Sequence, residues 1–482
     1  LEFRRVLFRS IMKRLLLISF FLVFVVLYSQ AQMVDDTLIP VLNIETINDE
    51  MPTYTIVNAP EGCIGTSITD NNYVSGRMVM TLKGETLYDS GDYEKNVSGM
   101  RIKVRGNSTG AYMNQHPYKI KLSKKSDLLN RNDKAYKHKE WLLLGMYTWN
   151  KKMTNQESNI LHIAGLTISK ILGMSWTPEY DFVHVVLNGN YQGMYYLMEP
   201  VSKGEKRVDI EDSGFLIEHD TFWWNENVYF KTELQVSTCA FTFKYPDSDD
   251  ITEEIQNNIK SYMDEVEECI YNKADVMQHI ELESFAKWML VHDILGTDDS
   301  AGCNRFLCRK NNTSLLQMGP TWDYDSTFRS DSWSSIHTSD WFYYPQLFLN
   351  EAFVNTYVSI WHTIRPTLMN SITTSFEEVW QKYGGIFDES MKVHQTKYPY
   401  EGQQTLKEQI DEIIGKFNER IAILDDLMHQ YDGSTIIEKT HQEKQVITIT
   451  DLMGHQYKNK KDMPHGLYIY HYNNGRTKKI AY

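Results

Sequence analysis

Two short acidic stretches of the sequence could together hold a cation. The first is TDDSAGCN at 297–304, and the second is WDYD at 322–325. Clustered carboxylates with an amide, few histidines and no paired cysteines favour a hard ion bound by oxygen, Mg²⁺ or Mn²⁺ rather than Zn²⁺. Such an ion suits phosphate chemistry, because it neutralises charge on the phosphoryl group.

Three of these residues have the order expected of a phosphoryl-transfer site. In protein-kinase chemistry an Asp orients the acceptor hydroxyl, an Asn five residues later binds metal, and an Asp on a following turn also binds metal. Asp299 and Asn304 have that separation, and Asp323 follows them. The alternative interpretation is a solvated capping loop for the first stretch and a turn with Trp322 packed inward for the second.

The chain between the two stretches predicts a hairpin that joins them. A helix ends near Gly296, and RFLCRK and SLLQM then predict two strands around the turn NNT. Pairing about residue 312 returns the chain alongside Asn304 near Pro320. We therefore expect Asp323 to lie within a few residues' reach of the loop that holds Asp299 and Asn304.

A phosphate-binding lysine from a strand would complete such a site. From TLIPVLNIET to about Leu122, short alternating runs broken by Gly, Asn and Asp predict antiparallel strands. In HPYKIKLS, Lys119 and Lys121 share one face of the strand and apolar residues share the other. Either lysine could point into a cleft, and a solvated strand face is the alternative. Further along, an Asn188-Gly189 turn predicts another hairpin.

Helical patterns dominate the second half of the chain. Residues 155–173 predict one helix within the β-rich half. Apolar residues then recur at helical spacing over 255–270 and 281–295, and 351 to about 430 is mostly helical. A β-rich half therefore precedes an α-rich half.

Length and charge limit the classes of protein to which the chain can belong. Its 482 residues predict two or three domains. Its 49 basic and 63 acidic residues give a net charge of −14, which argues against broad electrostatic binding of nucleic acid or anionic lipid. Five cysteines without a CxxC pair indicate neither a zinc site nor a disulfide scaffold.

The N-terminal residues predict export. Residues 1–11 are interpreted as a cloning or assembly artefact ahead of Met12. Two basic residues, an apolar run and the small residues SQAQ then predict a signal peptide at 12–31. The apolar run is shorter than the roughly 20 residues that a spanning helix needs, and no later segment is suited to cross a bilayer. We therefore expect a secreted or cell-surface protein without a stable membrane span.

Six stretches, in order along residues 37–430, resemble the CotH kinase family, which is named for a spore coat protein and is related to atypical secreted protein kinases. They are KVRGNSTG, HPYKIKL, WLLLG, VVLNGNYQGMYYLMEPV, GFLIEHD and GPTWDYDSTF. The resemblance implies an α+β, two-lobed protein-kinase-like fold with a β-rich N-lobe and an α-rich C-lobe. It also implies ATP and Mg²⁺ or Mn²⁺ in the cleft, and phosphate transfer to Ser or Thr of a surface or secreted protein.

The resemblance assigns roles to residues at matching positions. Lys119 is implied to be the phosphate-binding lysine, with Lys121 as the alternative, and Asp299 to be the catalytic Asp. The implied metal ligands are Asn304 and Asp323, with Asp325 as a supporting or substitute ligand.

Two further positions are implied to bind the nucleotide. The turn that contains Arg105, Asn107 and Ser108 would cover the phosphates, although it is not a GxGxxG loop. Glu199, which closes its hairpin, would line the nucleotide pocket between the lobes.

One stretch departs from the family pattern. After WLLLG, family members usually have an Asp and then an Arg at the start of the helix, where this chain has MYTWNKKMTNQ. Lys151 or Lys152 is the candidate replacement for that Arg. If the missing pair normally holds the phosphate-binding lysine in place, the alternative is a catalytically inactive, kinase-like surface protein that binds a partner or is structural.

The last residues predict a separate module. Residues 431–444 predict a polar linker, and 445–482 have a compact β pattern with its own turns. In DLMGHQ and HGLYIYHYNNGRTKKIAY this small C-terminal β module resembles the sorting domain of proteins exported through the type IX route of Bacteroidetes-type bacteria. The resemblance implies that export machinery binds it, and an ordinary accessory domain is the alternative.

Overall fold

The computed structural model describes most of the chain between residue 34 and residue 481. The described ranges are 34–146, 159–234, 238–272, 275–297, 304–328, 335–336, 341–399, 403–431, 446–451, 455–457, 467–472 and 477–481. The predicted signal peptide, Asp299, Lys151, Lys152 and the predicted linker, apart from its first residue, lie outside these ranges.

The first part of the described chain is rich in strands. Two helices, α1 (Ser108–Tyr112) and α2 (Leu161–Ile171), interrupt them. The strands are β1 (Val41–Thr46), β2 (Thr55–Asn58), β3 (Thr66–Thr69), β4 (Val74–Leu82), β5 (Glu85–Asp89), β6 (Met100–Val104), β7 (Tyr118–Ser126), β8 (His138–Gly145), β9 (Tyr180–Leu187) and β10 (Asn190–Met198).

Most of these strands form one closed sheet. Their order is β1-β9-β10-β8-β7-β6-β4-β5, and β1 also pairs with β4, so the sheet closes into a barrel with β5 attached to β4. Alternation along the strands fills the interior with apolar side chains such as Ile102, Ile120 and Trp141. The other face of the same strands points out of the barrel, and Lys119 lies on that face beside Leu142.

The second part of the described chain is mainly helical and packs against the outer face of the barrel. Its small sheet has the order β12-β13-β11-β14-β15. A large apolar core joins the helices to barrel residues such as Leu142 and Tyr196. The elements are β11 (Phe215–Asp220), β12 (Tyr229–Phe230), β13 (Ala240–Tyr245), α3 (Glu253–Tyr271), α4 (Leu282–Leu295), β14 (Arg305–Arg309), β15 (Gln317–Met318), α5 (Tyr344–Leu347), α6 (Glu351–Lys397) and α7 (Leu406–Met428).

Local sequence signals explain where several elements begin and end. Thr252 caps α3 by accepting a hydrogen bond from a backbone N–H, and Thr405 with Glu408 forms a capping box at α7. The Asn188-Gly189 turn has positive φ at both residues, as the predicted two-residue hairpin requires.

The order of the elements confirms the predicted β-rich first part and helical second part. The two-lobed kinase arrangement stays a prediction.

The predicted hairpin is present, but its second strand is shorter than SLLQM. Leu307 pairs with Met318 across β14 and β15. Ahead of β15 the backbone of Leu316 instead exchanges hydrogen bonds with His279 and Glu281. This stretch therefore pairs with the chain ahead of α4, a partner that local sequence pattern cannot indicate.

The C-terminal segments form a sheet of their own. Its order is β17-β16-β18-β19, with all pairs antiparallel. Its strands are β16 (Val446–Asp451), β17 (Gln456–Tyr457), β18 (Leu467–Tyr472) and β19 (Thr477–Ala481). The role of this sheet as a sorting domain stays a prediction.

None of the described helices has both the length and the apolar character needed to cross a membrane.

Candidate active site

The β14–β15 hairpin brings Asn304 against Asp323, as the sequence predicts. Asn304 immediately precedes β14, Asp323 follows β15, and the Asn304 Nδ2 donates a hydrogen bond to Asp323 Oδ2 at 3.3 Å. Both residues have a positive φ, 62° and 63°. That conformation is uncommon outside glycine and costs free energy unless the surroundings hold it. The predicted proximity is confirmed, and the roles of both residues as metal ligands stay predictions.

A narrow pocket lies between this loop and the barrel. The pocket is partly open to solvent, and its cavity volume of about 30 Å³ is room for a water molecule or a small ion. Asp323 and Asp325 line it from the loop, His162 from α2, and Arg105, Thr109, Leu144 and Met198 from the barrel side.

Tyr324 anchors the loop that carries the two aspartates. Its side chain is fully buried, and its hydroxyl forms hydrogen bonds of 2.8 Å with both Ser169 and Thr321. Burial raises the pKa of Tyr324 to about 12, so the hydroxyl stays protonated. Trp322, which sequence pattern suggests as the buried residue of this turn, is only half-buried. The Tyr324 side chain is thus held against α2, and it holds the adjacent Asp323 and Asp325 in position.

His162 is a pocket residue that sequence reasoning missed. It lies in the first turn of α2, and its ring packs edge-on against Tyr196 with a centroid distance of 5.6 Å. Burial lowers the pKa of His162, while the charge of Asp323 opposes that shift. A polar residue inside an otherwise apolar helical stretch was the available signal.

Lys119 forms an ion pair with a residue that sequence reasoning also missed. Its Nζ lies 3.0 Å from Glu140 Oε1, and the Nζ of Lys121 lies 3.7 Å from the same oxygen. Burial by itself raises the pKa of Glu140, but the two lysines bring it below its usual value. The carboxylate on β8 is therefore ionised and holds Lys119 on the outer face of the barrel.

Comparison with known protein families identifies the chain. The family model described as CotH kinase protein matches residues 102–424, which is more than half of the sequence. The chain belongs to the CotH kinase family. The matched range includes Lys119, Glu140, Asn304 and Asp323. A search of curated proteins found no match.

Within this CotH kinase family member, only one of the three turn residues implied to cover the phosphates lines the pocket. Arg105 does so, whereas Asn107 accepts a hydrogen bond from the Ser67 hydroxyl at 2.7 Å. The Ser108 hydroxyl lies 3.5 Å from the backbone oxygen of Thr66. Both of these side chains therefore contact β3 in this conformation, and their role in binding phosphate stays a prediction.

Glu199 lies in a buried cluster of charges. It is 1% exposed, its Oε1 accepts a hydrogen bond from Arg131 at 2.8 Å, and Arg207 Nε lies 3.7 Å away. Its other oxygen accepts the backbone N–H of Glu179 at 3.0 Å. The neighbouring Met198 lines the pocket. The contacts of Glu199 thus hold the end of β10, and its contact with a nucleotide stays a prediction.

The oxygen donors of this CotH kinase family site fit a hard cation. Within the described residues no cluster of three or more His, Cys, Asp or Glu could hold a metal. Asp323 and Asp325 instead line the pocket with carboxylates, and Asn304 contacts Asp323. Mg²⁺ is commonly held by one or two carboxylates, with water and substrate phosphate as its other ligands. Carboxylate and amide oxygens are ligands of the type that Mg²⁺ or Mn²⁺ prefers, and the binding of either ion here stays a prediction.

Proposed function

We propose that this protein is an exported, metal-dependent atypical kinase that transfers the γ-phosphate of ATP to Ser or Thr of surface or secreted proteins. Membership of the CotH kinase family supports a kinase-like protein. The observation that carries the proposal is the contact between Asn304 and Asp323, the two residues implied to hold the metal. The Lys119–Glu140 ion pair on the outer face of the barrel is a second support.

Each residue has a definite task in this proposal. Asn304 and Asp323 hold the metal, which supplies positive charge to the phosphates. Lys119 binds the phosphates from the barrel side, and Glu140 keeps its ammonium group in place. Asp299 orients the acceptor hydroxyl and accepts its proton.

Export is supported by sequence pattern at both ends of the chain. The signal-peptide pattern at 12–31 directs the protein across a membrane. The sheet formed by β16–β19 is compatible with a sorting module that export machinery binds. The kinase would therefore act on proteins of the cell surface or the medium.

Phosphate transfer from labelled ATP tests the enzymatic part of the proposal. The purified protein with Mg²⁺ or Mn²⁺ is expected to label itself or an added protein on Ser or Thr. Asp323→Ala and Lys119→Met are expected to lower the signal by several orders of magnitude, because each removes charge that stabilises the transferred group. Asp92→Ala, at an exposed position in the loop between β5 and β6, is the control. Equal labelling by the wild type and Asp323→Ala would exclude this site.

The departure from the family pattern after WLLLG favours a second candidate, a kinase-like protein that binds a partner without catalysis. This chain has MYTWNKKMTNQ where family members usually have an Asp and then an Arg. Calorimetric titration of ATP with and without Mg²⁺ separates the two candidates. Metal-dependent ATP binding supports the kinase, and its absence supports the scaffold.

A further inference from the structure

The β2–β3 hairpin forms a separate two-stranded sheet, and one of its edges is open. Within the described residues β2 pairs only with β3, and three of its four residues are exposed, including Ile56 at 50%. The Ala59 N–H donates to the Gly65 oxygen, so by alternation the N–H and C=O groups of Ile56 and Asn58 point away from β3. An open edge of this kind can pair with a further strand.

The contacts that hold the hairpin in place reach β3. The Tyr112 hydroxyl of α1 donates to Thr66 Oγ1 at 2.7 Å, and the Asn225 amide donates to the backbone oxygen of Ile68 at 2.9 Å. The side chain of Ile68 is 3% exposed and packs into the core of the barrel. The hairpin is therefore fixed through its inner strand, and β2 is the outer strand.

One helix links the hairpin to the candidate active site. α1 bonds to β3 through Tyr112, and about one turn earlier its Thr109 lines the pocket together with Asp323. A strand spacing of about 4.8 Å and a helix diameter of about 10 Å place β2 about 15 Å from the pocket. About five residues of extended chain span that distance.

The chain around the hairpin is acidic. Between residues 34 and 76 the sequence has seven Asp or Glu residues and no Lys, Arg or His. Charges protect an edge when they lie on the strand itself, but no residue of β2 is charged. Four of the acids instead flank the hairpin at exposed positions, and within the described part of the chain none of them forms an ion pair. They are Asp49, Glu50, Glu61 and Asp70. The edge therefore suits a strand that carries positive charge at its ends.

We propose that the open edge of β2 is a docking site for an extended segment of the substrate protein, in which basic residues flank a short run of β-branched residues. The segment pairs with the backbone of Ile56 and Asn58, and its basic residues contact the acids that flank the hairpin. The same acids oppose pairing with a second copy of this chain. The inference rests on the proposed kinase function only for the acceptor Ser or Thr, which lies about five residues from the docked segment and so reaches the pocket.

Fluorescence anisotropy with labelled peptides measures docking on the unaltered protein. The probe is a peptide of about ten residues in which alternating Val and Thr are flanked by lysines. One comparison peptide has glutamates in place of the lysines, and another has a core of prolines. The probe should bind at least about tenfold more tightly than either, because the first is repelled and the second cannot form the backbone hydrogen bonds. Equal affinity of the probe and either comparison peptide would overturn the proposal.

Variants of the protein test the strand and the charges separately. Ile56→Pro removes an N–H at the open edge without removing a hydrogen bond of the hairpin, so it should weaken the probe by about tenfold. Glu61→Lys combined with Asp70→Lys should weaken it by about tenfold or more and reduce its dependence on salt. Glu94→Lys, at an exposed position between β5 and β6, is the control. Wild-type affinity in either test variant would contradict the proposal.

Sedimentation tests the other occupant of an open edge. The wild type should show no dimer that Ile56→Pro abolishes. A concentration-dependent dimer that is lost in Ile56→Pro would assign the edge to a second copy of the chain and overturn the docking of substrate.

Phosphorylation of the same peptides separates docking from catalysis. A Ser placed about five residues beyond the lysine-flanked core should have a KM about tenfold lower than a Ser beyond the glutamate-flanked core, with a similar kcat. Peptide binding that depends on Ile56, without any phosphorylation, would support the docking site and overturn the kinase proposal. Phosphorylation with an equal KM for both peptides would overturn the docking site and leave the kinase proposal standing.

Discussion

Gly165 of α2 lies directly against the ring of Tyr324. A Cβ placed on Gly165 would come within 2.0 Å of Tyr324 Cγ, so no other residue fits there without moving the ring. The hydroxyl end of the same ring is held by Ser169, one helical turn further along α2. The helix therefore sets the position of the loop that carries Asp323 and Asp325.

The first prediction is that Gly165→Ala disturbs the site more than the fold. Forcing the Tyr324 ring away is expected to cost about 1–3 kcal/mol in the free energy of unfolding, as overpacking does elsewhere. Displacement of Asp323 should also weaken Mg²⁺-dependent ATP binding by about tenfold or more. Urea unfolding and calorimetric titration measure the two effects.

Gly415→Ala in α7 is the matched control. A Cβ at Gly415 meets nothing within 4 Å, so this substitution should stabilise the helix by up to about 1 kcal/mol and leave ATP binding unchanged. Similar behaviour of the two variants would show that the Gly165–Tyr324 contact does not position the loop.

The contact between Asn304 and Asp323 could be predicted because its causes are local. A helix end, two short apolar runs and the turn NNT are all visible in consecutive residues, and hairpin pairing then fixes which residues meet. The alternating pattern likewise places Lys119 on the outer face of its strand. The first relationship is set by a single hairpin, and the second by alternation within a single strand.

The missed features depend on pairing between distant strands. Glu140 approaches Lys119 only through the register of β7 with β8, which contains an irregularity between Lys121 and Ser126. Barrel closure depends on β1 pairing with both β4 and β9. Tyr324 rather than Trp322 is the buried side chain because Gly165, in a separate helix, leaves room for the Tyr324 ring. None of these relationships has a signal within a short stretch of sequence.

The second prediction concerns the carboxylate that holds Lys119. Glu140→Gln removes the negative charge that Lys119 and Lys121 share and leaves the side-chain shape nearly unchanged. We expect KM for ATP to rise by about ten- to a hundredfold, with a change of about 1 kcal/mol or less in the free energy of unfolding, because the pair is partly solvated. Steady-state kinetics and urea unfolding measure these quantities. Glu94→Gln, at an exposed position, is the control, and an unchanged KM would mean that Lys119 does not need this partner.

The third prediction distinguishes a structural role of Glu199 from a nucleotide-binding one. Glu199→Ala leaves the buried Arg207 and the partly buried Arg131 without their shared carboxylate. Breaking a buried ion pair in this way is expected to cost about 3–5 kcal/mol. Urea unfolding of Glu199→Ala, with the exposed Glu205→Ala as control, measures the cost. A normal unfolding free energy combined with lost ATP binding would instead assign Glu199 to the nucleotide pocket.

The fourth prediction is that acid destabilises the protein through two buried histidines, His184 and His394. They lie where α6 contacts the barrel. The Met194 N–H donates to His394 Nδ1 at 3.1 Å, and the Tyr191 hydroxyl lies 2.8 Å from His184 Nδ1. The pKa of each histidine is lowered to about 4, mainly by burial and, for His184, also by the nearby His394. Both rings are therefore neutral in the folded protein at neutral pH.

Stability should fall as the pH decreases from about 6.5 to about 4. In that window the unfolded chain, whose histidines have a pKa of about 6.5, binds more protons than the folded protein. We expect the two histidines together to remove a few kcal/mol from the free energy of unfolding over this range. His394→Asn provides an oxygen that can accept the Met194 N–H without titrating, so it should reduce the pH dependence by roughly half. Urea unfolding between pH 7 and pH 4 measures this, with His362→Asn on the exposed side of α6 as the control. An unchanged pH profile in His394→Asn would place the source of acid sensitivity elsewhere.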